Sequence, residues 1–211
     1  MAKHTFNMID ATGDTRALAR VSYGYDWNYL ADDETLLFGS TDETAFSVKN
    51  LTPGTGISAG AEHYSAAVLR MGDVIETTIV IDLTGLNSGD AVNDIIGTAA
   101  AANCHIGQVT AAINGTIHAA TIQCTETPAG GEPDIDVYSA TVGTGTEETL
   151  ITALTETALF ASGADWTGIL PAKGFTVVPP ADGYLYLTGS QATNDTYTAG
   201  KFVIKLYGTP A

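Results

Sequence analysis

The chain has 211 residues and a formal net charge of −16, from 24 acidic and 8 basic side chains. A surface this acidic repels the phosphates of nucleic acids and of anionic lipids, so we expect no nucleic-acid partner and no membrane partner. Apolar residues make up 45% of the sequence, which indicates a folded core rather than a disordered chain. The 31 threonines and 23 glycines favour strands and tight turns over helices.

The first 70 residues follow an irregular pattern with one distinctive feature, a row of aromatic side chains at every second position. These residues are Tyr23, Tyr25, Trp27 and Tyr29. Period-two spacing places them on one face of a strand. Because tyrosine and tryptophan supply much of the binding energy of protein interfaces, we interpret the row as an interface anchor, with stacking on sugar rings as the alternative. The N-terminus has no apolar segment typical of a secretory signal.

A more regular pattern begins near Met71. Residues 74–83 alternate strictly and predict a half-buried strand with Ile75, Ile79 and Ile81 on its inner face. The segment before it, 61–71, fits either a short helix or a strand. Residues 84–103 read as a long connection, in which 90–96 is compatible with one helical turn.

Residues 104–124 contain both cysteines and predict a β-hairpin. Asn114-Gly115 is a dipeptide that suits a type I′ turn, since both positions need positive φ. A two-residue turn at this point pairs His105 with Cys124 and sends the side chains of Cys104 and Cys124 to opposite faces.

This register separates the side chains that could form a reactive site. Cysteines on opposite faces disfavour a disulfide, and His118 is too far along the strand to share a zinc ion with Cys124. A bulge at Gly107 shifts the pairing by one residue and is the open alternative. We therefore interpret both cysteines as small, reduced core residues.

An acidic run, Glu132, Asp134 and Asp136, precedes and enters the next predicted strand, 134–142. Three carboxylates so close together could ligate calcium. Their spacing is not that of an EF-hand, and we favour a solvated turn that leads into an edge strand.

The remaining segments complete an all-β pattern with one short helix. Residues 144–157 predict that helix, because Thr144 and Glu147 form a potential capping box. Residues 175–178, 183–189 and 200–208 predict strands. Phe202, Ile204 and Leu206 face inward in the last of them. Many short strands separated by turn residues predict a β-sandwich or a barrel.

No residue pattern in the chain indicates catalysis. No serine lies in a nucleophile elbow, there is no phosphate-binding loop, and the two G-x-G segments do not open a helix after a strand. We therefore expect a protein that is not an enzyme and uses no cofactor or metal. A glycoside hydrolase with carboxylates that the sequence cannot place is the remaining enzyme alternative.

Three segments resemble small virion proteins of tailed bacteriophages, particularly marine and cyanobacterial phages. They are MGDVIETTIVIDLTGL, CHIGQVTAAINGTIHAATIQCTETPAGGEPDIDVYSAT and DGYLYLTGSQATNDTYTAGKFVIKLYG. The resemblance covers 71–211, consists of framework motifs without a catalytic residue, and is closest in kind to head decoration, or cement, proteins. It implies a jelly-roll-like β-sandwich, assembly as a homo-oligomeric trimer, and a position on the outer capsid surface in contact with the major capsid protein.

This resemblance divides the chain into a β-sandwich decoration domain, 71–211, and an additional N-terminal region, 1–70. The extra region is expected to be an arm or small β subdomain that contacts neighbouring subunits. The expected function is structural, the stabilisation of the phage head after assembly in the host cytoplasm. The alternatives are a receptor- or glycan-binding module, anchored by Trp27 or Trp166, and another virion component such as a tail protein.

Overall fold

A computed structural model describes residues 51–169, 171–191 and 194–210, together with the backbone of three short segments before residue 50. The strands in these parts are β1 (Asn7–Ile9), β2 (Thr15–Ala17), β3 (Ser47–Lys49), β4 (His63–Met71), β5 (Val74–Asp82), β6 (Gly107–Gln108), β7 (Thr116–Ala129), β8 (Ile135–Ala140), β9 (Glu156–Phe160), β10 (Lys173–Gly174), β11 (Tyr184–Gly189) and β12 (Ala199–Thr209). The helical segments are single turns, α1 (Thr55–Ser58), α2 (Ala111–Asn114) and a 3₁₀ turn (Ile151–Ala153). None of the described helices is long and apolar enough to cross a membrane.

The strands form two antiparallel sheets, so the predicted all-β sandwich is confirmed. The larger sheet has the order β10-β7-β12-β5-β4-β3, and the smaller one has the order β6-β11-β8-β9. β1 and β2 form a separate two-stranded antiparallel sheet. The finer prediction, a jelly-roll arrangement of the strands, stays a prediction.

The core lies between the two sheets and is built by alternating side chains. In β12, Phe202, Ile204 and Leu206 are fully buried, as predicted, while the residues between them are partly exposed. In β5, Ile79 and Ile81 are fully buried, which confirms the predicted inner face. Burying one such side chain contributes about 1.5–3 kcal/mol, so the two alternating strands are a large source of stability.

β12 is the C-terminal strand of the chain, yet it lies in the middle of the larger sheet. It pairs with β5 on one side and with β7 on the other. The two sheets are also joined directly, since the Tyr64 hydroxyl donates a 2.5 Å hydrogen bond to the carbonyl oxygen of Ile106, just before β6. The smaller sheet is therefore held at a defined position over the larger one.

The sandwich begins at β3 and so includes residues of the expected N-terminal region, 1–70. Leu51 and Ile57 are buried in the core, and 63–71 is a strand that pairs with β5 along its whole length. The expected boundary at residue 71 thus falls inside the β4–β5 hairpin.

The predicted hairpin at 104–124 is wrong. β6 pairs with β11 in the smaller sheet, whereas β7 pairs with β12 and β10 in the larger one. Asn114 is the last residue of the α2 turn rather than part of a type I′ turn, and Gly115 follows it with φ of +68°. A Cβ atom at Gly115 would lie 2.2 Å from the Thr209 carbonyl oxygen, so this position needs glycine.

The Asn114 side chain explains why the chain turns here without forming a hairpin. It accepts a hydrogen bond from the Thr110 backbone N–H at 2.9 Å and donates one to the Thr77 hydroxyl of β5 at 2.8 Å. These bonds anchor the crossing between the two sheets. Pairing with β12, which is far away in sequence, therefore overrides the local turn preference of Asn-Gly.

Three further local predictions are wrong. Residues 144–157 form turns, a 3₁₀ turn and the start of β9 instead of a helix. The Glu147 carboxylate does not cap that segment, because it accepts a 2.8 Å hydrogen bond from the Ala100 backbone N–H in a distant loop. Residues 175–178 lie outside the described strands, and 90–96 contains isolated bridges to Leu150 and to Thr188 of β11 rather than a helical turn.

Candidate functional site

The acidic run Glu132, Asp134 and Asp136 lies at the entrance to β8, and all three side chains are buried. Glu132 is 0% exposed, Asp134 8% and Asp136 6%. The expected solvated turn is therefore wrong. The expected edge strand is also wrong, because β8 lies between β11 and β9. The loops on either side of β8 fold over the carboxylates and remove them from water.

Asp136 and the backbone around it hold two of these loops. Its two carboxylate oxygens accept hydrogen bonds from the Ser162 backbone N–H at 2.6 Å and from the Ser190 hydroxyl at 2.7 Å. The Ser190 backbone N–H donates to the carbonyl oxygen of Asp134 at 2.9 Å. The start of β8 is thus tied to the segment after β9 and to the segment after β11.

Glu132 is in a different situation, since neither of its carboxylate oxygens has a hydrogen-bond partner in the structure. Burial, followed by the charges of Asp134, Asp136 and Asp94, raises the pKa of Glu132 to about 8. An unpaired carboxylate that is removed from water is costly in its charged form. Glu132 is therefore protonated in the folded protein below about pH 8.

Asp94 brings a fourth carboxyl group to this cluster from the long connection after β5. Its Oδ2 atom accepts a hydrogen bond from the Ala91 backbone N–H at 2.9 Å, while Oδ1 is buried without a partner. Burial is the main cause that raises the pKa of both Asp94 and Asp134. We call Asp94, Glu132, Asp134 and Asp136 the acidic junction. Among the residues that the structure describes, no three histidine, cysteine, aspartate or glutamate side chains are arranged to hold a metal ion.

The outer face of the larger sheet carries a second charged arrangement. Lys201 of β12 lies 2.9 Å from the Asp82 carboxylate of β5 and 3.0 Å from the Glu126 carboxylate of β7. Hydrogen bonds to these two carboxylates raise the pKa of Lys201. Lys205 makes a similar 2.8 Å ion pair with Glu76. The lysines of the central strand therefore link it to its neighbours and remain charged, which is a structural role.

Trp166 was expected to be a potential sugar-binding anchor, and the structure contradicts this role. The side chain is 1% exposed. Its indole N–H donates a 3.1 Å hydrogen bond to the Ile135 carbonyl oxygen, and its ring packs edge-on against Phe202. Lys173 covers the ring with its amino group 4.3 Å from the ring centre. Trp166 is a core residue that links the two sheets.

A shallow depression of about 390 Å³ lies beside His105 and Tyr184, whose rings pack edge-on with centroids 4.9 Å apart. Leu51, Gln108 and Ile113 also line it. Burial lowers the pKa of His105, so this histidine is neutral at pH 7. The depression combines neutral polar and apolar groups.

Both cysteines are free and buried, as core residues. Burial raises the pKa of the Cys104 thiol to about 11 and also raises the pKa of Cys124. The Cys104 thiol donates to the Ala101 carbonyl oxygen at 3.2 Å. Their interpretation as reduced core side chains is confirmed, although the register that led to it is wrong.

We expect the native thiols to react at least about 100-fold more slowly with a thiol reagent at about pH 8 than the thiols of the unfolded chain, because only the exposed thiolate is nucleophilic. The measurement is the rate of reaction with a disulfide reagent, with and without guanidinium chloride. Two thiols should react in the denatured chain. A thiol that reacts in the native protein as fast as in the denatured chain contradicts the buried positions.

The aromatic row Tyr23, Tyr25, Trp27 and Tyr29 lies outside the described residues. Sequence reasoning singled out the acidic run but missed Asp94, which lies far away in the chain. The one available signal was an isolated acid in an apolar segment.

Comparisons with protein-family models, characterised proteins and solved structures found no match.

Proposed function

We propose that this chain is a structural virion protein that decorates the head of a tailed bacteriophage. In this proposal it binds neighbouring major capsid protein subunits as a homo-oligomer, a trimer, on the outer capsid surface. The resemblance over 71–211 and the all-β sandwich support the proposal. A decoration protein needs a stable scaffold and contact surfaces rather than reaction chemistry.

Polar contacts connect the strands, the two sheets and the loops of the scaffold. Lys201 joins three strands of the larger sheet, Tyr64 joins the two sheets, and Asp136 joins two loops to β8. The hydrogen bonds of Tyr64 and Asp136 each contribute modestly, about 0.5–1.5 kcal/mol. Together they restrict the relative movement of the sheets and loops, which suits a protein that must keep its contacts in register with a lattice.

The observation that carries the proposal is the position of the exposed apolar side chains. Ile169 is 75% exposed, and Val177 and Val178 lie on the same connection between β9 and β11 with 44% and 38% exposure. Val92 (50%) and Leu150 (44%) are brought close together by the bridge between Asp94 and Leu150. Exposed apolar side chains are available for contact with another protein, and many symmetric copies of a weak contact act together by avidity.

The test is co-sedimentation of the full chain with empty shells assembled from the major capsid protein of the phage. We expect saturable binding, and at least about tenfold weaker binding for Ile169→Asp and for Val92→Asp, because each places a charge in an apolar contact. A chain that lacks residues 1–44 keeps every strand of the two sheets, β3 included, and should also bind more weakly, since it lacks the aromatic row.

Thr157→Asp is the matched control, because Thr157 is exposed on β9 and the substitution adds the same charge. It should bind like the unchanged chain. Absence of saturable binding to shells by the full chain contradicts the proposal. Saturable binding of sugars to the isolated protein instead favours a glycan-binding module, and sedimentation velocity tests the trimer.

A further inference from the structure

The acidic junction places the buried carboxyl group of Glu132, which has no hydrogen-bond partner, beside three other carboxyl groups. Both oxygens of Glu132 are buried without partners, and so is one oxygen each of Asp94 and Asp134. The Glu132 carboxyl group lies against Gly189 at the end of β11, so close that a Cβ atom there would overlap it. The Gly189 backbone N–H in turn donates to the Asp94 carbonyl oxygen at 3.1 Å.

The segment 132–136, which contains Glu132, also holds the surrounding loops through hydrogen bonds. The Tyr197 hydroxyl donates to the Glu132 carbonyl oxygen at 2.8 Å, and the Trp166 backbone N–H donates to the Pro133 carbonyl oxygen at 3.0 Å. With the bonds from Ser162 and Ser190 already described, the segments after β9 and after β11 both depend on residues 132–136. A repulsive charge at Glu132 therefore acts on the point where these loops meet.

The titratable and charged groups around Glu132 come from every packed segment, and nearly all of them are acidic. They are Asp134 and Asp136 at β8, Asp94 in the connection after β5, Asp165 after β9, Tyr197 after β11, and Lys173, which faces Asp134. The Asp136 carboxylate has its own donors. Glu132 has no donor, so either a proton or a bound cation must compensate the negative charge of its carboxylate.

We propose that the proton on Glu132 is a latch that keeps the loops of the acidic junction closed, and that its loss loosens them. The structure favours a proton over a metal ion, because the described carboxylates are not arranged around one point. The raised pKa of Glu132, about 8, agrees with this geometry. The folded chain holds this proton where the unfolded chain, with a pKa of about 4.5, has released it, so the stabilisation decreases as the pH rises from about 4.5 to about 8.

The first test is thermal unfolding of the full chain and of Glu132→Gln between about pH 6 and pH 9. The glutamine keeps the shape but cannot ionise. We expect the melting temperature of the unchanged chain to fall over this interval by about 5 °C more than that of the variant. Glu62→Gln removes a charge at an exposed position and should run parallel to the unchanged chain. Parallel curves for Glu132→Gln overturn the proposal.

The second test measures the site directly and does not need a folded variant. We expect the carboxyl carbon of one glutamate in the unchanged, ¹³C-labelled chain to titrate near pH 8 rather than near its ordinary value. We also expect the hydrogen-exchange protection of the Ser162 and Ser190 amides to decrease above that pH. If every glutamate titrates near its ordinary value, no latch exists.

The last test compares the melting temperature at about pH 9 in a buffer without Ca²⁺ with the melting temperature after Ca²⁺ is added. The latch predicts no change in the melting temperature. Stabilisation by Ca²⁺ that is lost in Glu132→Gln shows that the site binds a cation, and this overturns the proton latch. None of these outcomes depends on capsid binding, so they leave the proposed function untouched.

Discussion

Trp166→Ala is expected to lower the free energy of unfolding by about 3–5 kcal/mol, the range found when large aromatic core residues are truncated. The substitution removes a ring that is 1% exposed and packs against Phe202 of the larger sheet. It also removes the hydrogen bond from the indole to Ile135 at the start of β8. Because the side chain spans both sheets, the cavity forms where neither sheet can fill it alone.

Trp166→Phe separates these contributions. Phenylalanine retains most of the packing and loses the donor, so it should cost about 1–2 kcal/mol through the unpaired Ile135 carbonyl oxygen. Urea unfolding followed by circular dichroism measures both variants, with the m-value as a check that the unfolding transition stays two-state. A loss below about 1 kcal/mol for the alanine variant is incompatible with a buried Trp166.

Asn114→Gly is the second large effect that we expect, and it distinguishes the two interpretations of Asn114-Gly115. In a type I′ turn, glycine replaces asparagine with almost no loss of stability. In the α2 turn, the substitution leaves the Thr110 N–H and the buried Thr77 hydroxyl without their partner. We therefore expect a loss of about 2–4 kcal/mol in the free energy of unfolding.

A double-mutant cycle with Asn114→Ala and Thr77→Val tests the same contact independently of glycine flexibility. Residues that share a hydrogen bond show non-additive effects, so we expect a coupling of about 0.5–2 kcal/mol. The measurement is again the free energy of unfolding in urea. Strict additivity of the two substitutions indicates that the side chains do not touch.

The distribution of positive charge bears on the expected partners. From residue 51 onward the sequence has four cationic side chains, Arg70, Lys173, Lys201 and Lys205. Each has a partner within the described structure, since Arg70 donates to the Gly72 carbonyl oxygen, Lys173 covers Trp166, and the other two form ion pairs. These four cations are thus engaged within the chain, and the absence of a nucleic-acid partner stays a prediction.

The amino-acid sequence by itself determined the strands whose pattern is strictly alternating. β5 and β12 lie where the sequence predicts them, with the expected residues facing inward. This success has a physical reason. One face of each of these strands is buried and the other is not, so the alternation records the environment of every residue directly.

Tertiary structure alone decided the features that depend on distant partners. Asn114-Gly115 has the local chemistry of a hairpin turn, yet β7 pairs with β12 over most of its length and not with β6. Glu147 has the local chemistry of a helix cap, yet it accepts its hydrogen bond from Ala100. Glu132 and Asp94 are 38 residues apart in sequence, and their shared burial follows from how the loops close over β8. Local preferences amount to about 1 kcal/mol or less per residue, whereas a buried strand pairing contributes several such terms at once, so the long-range contacts prevail.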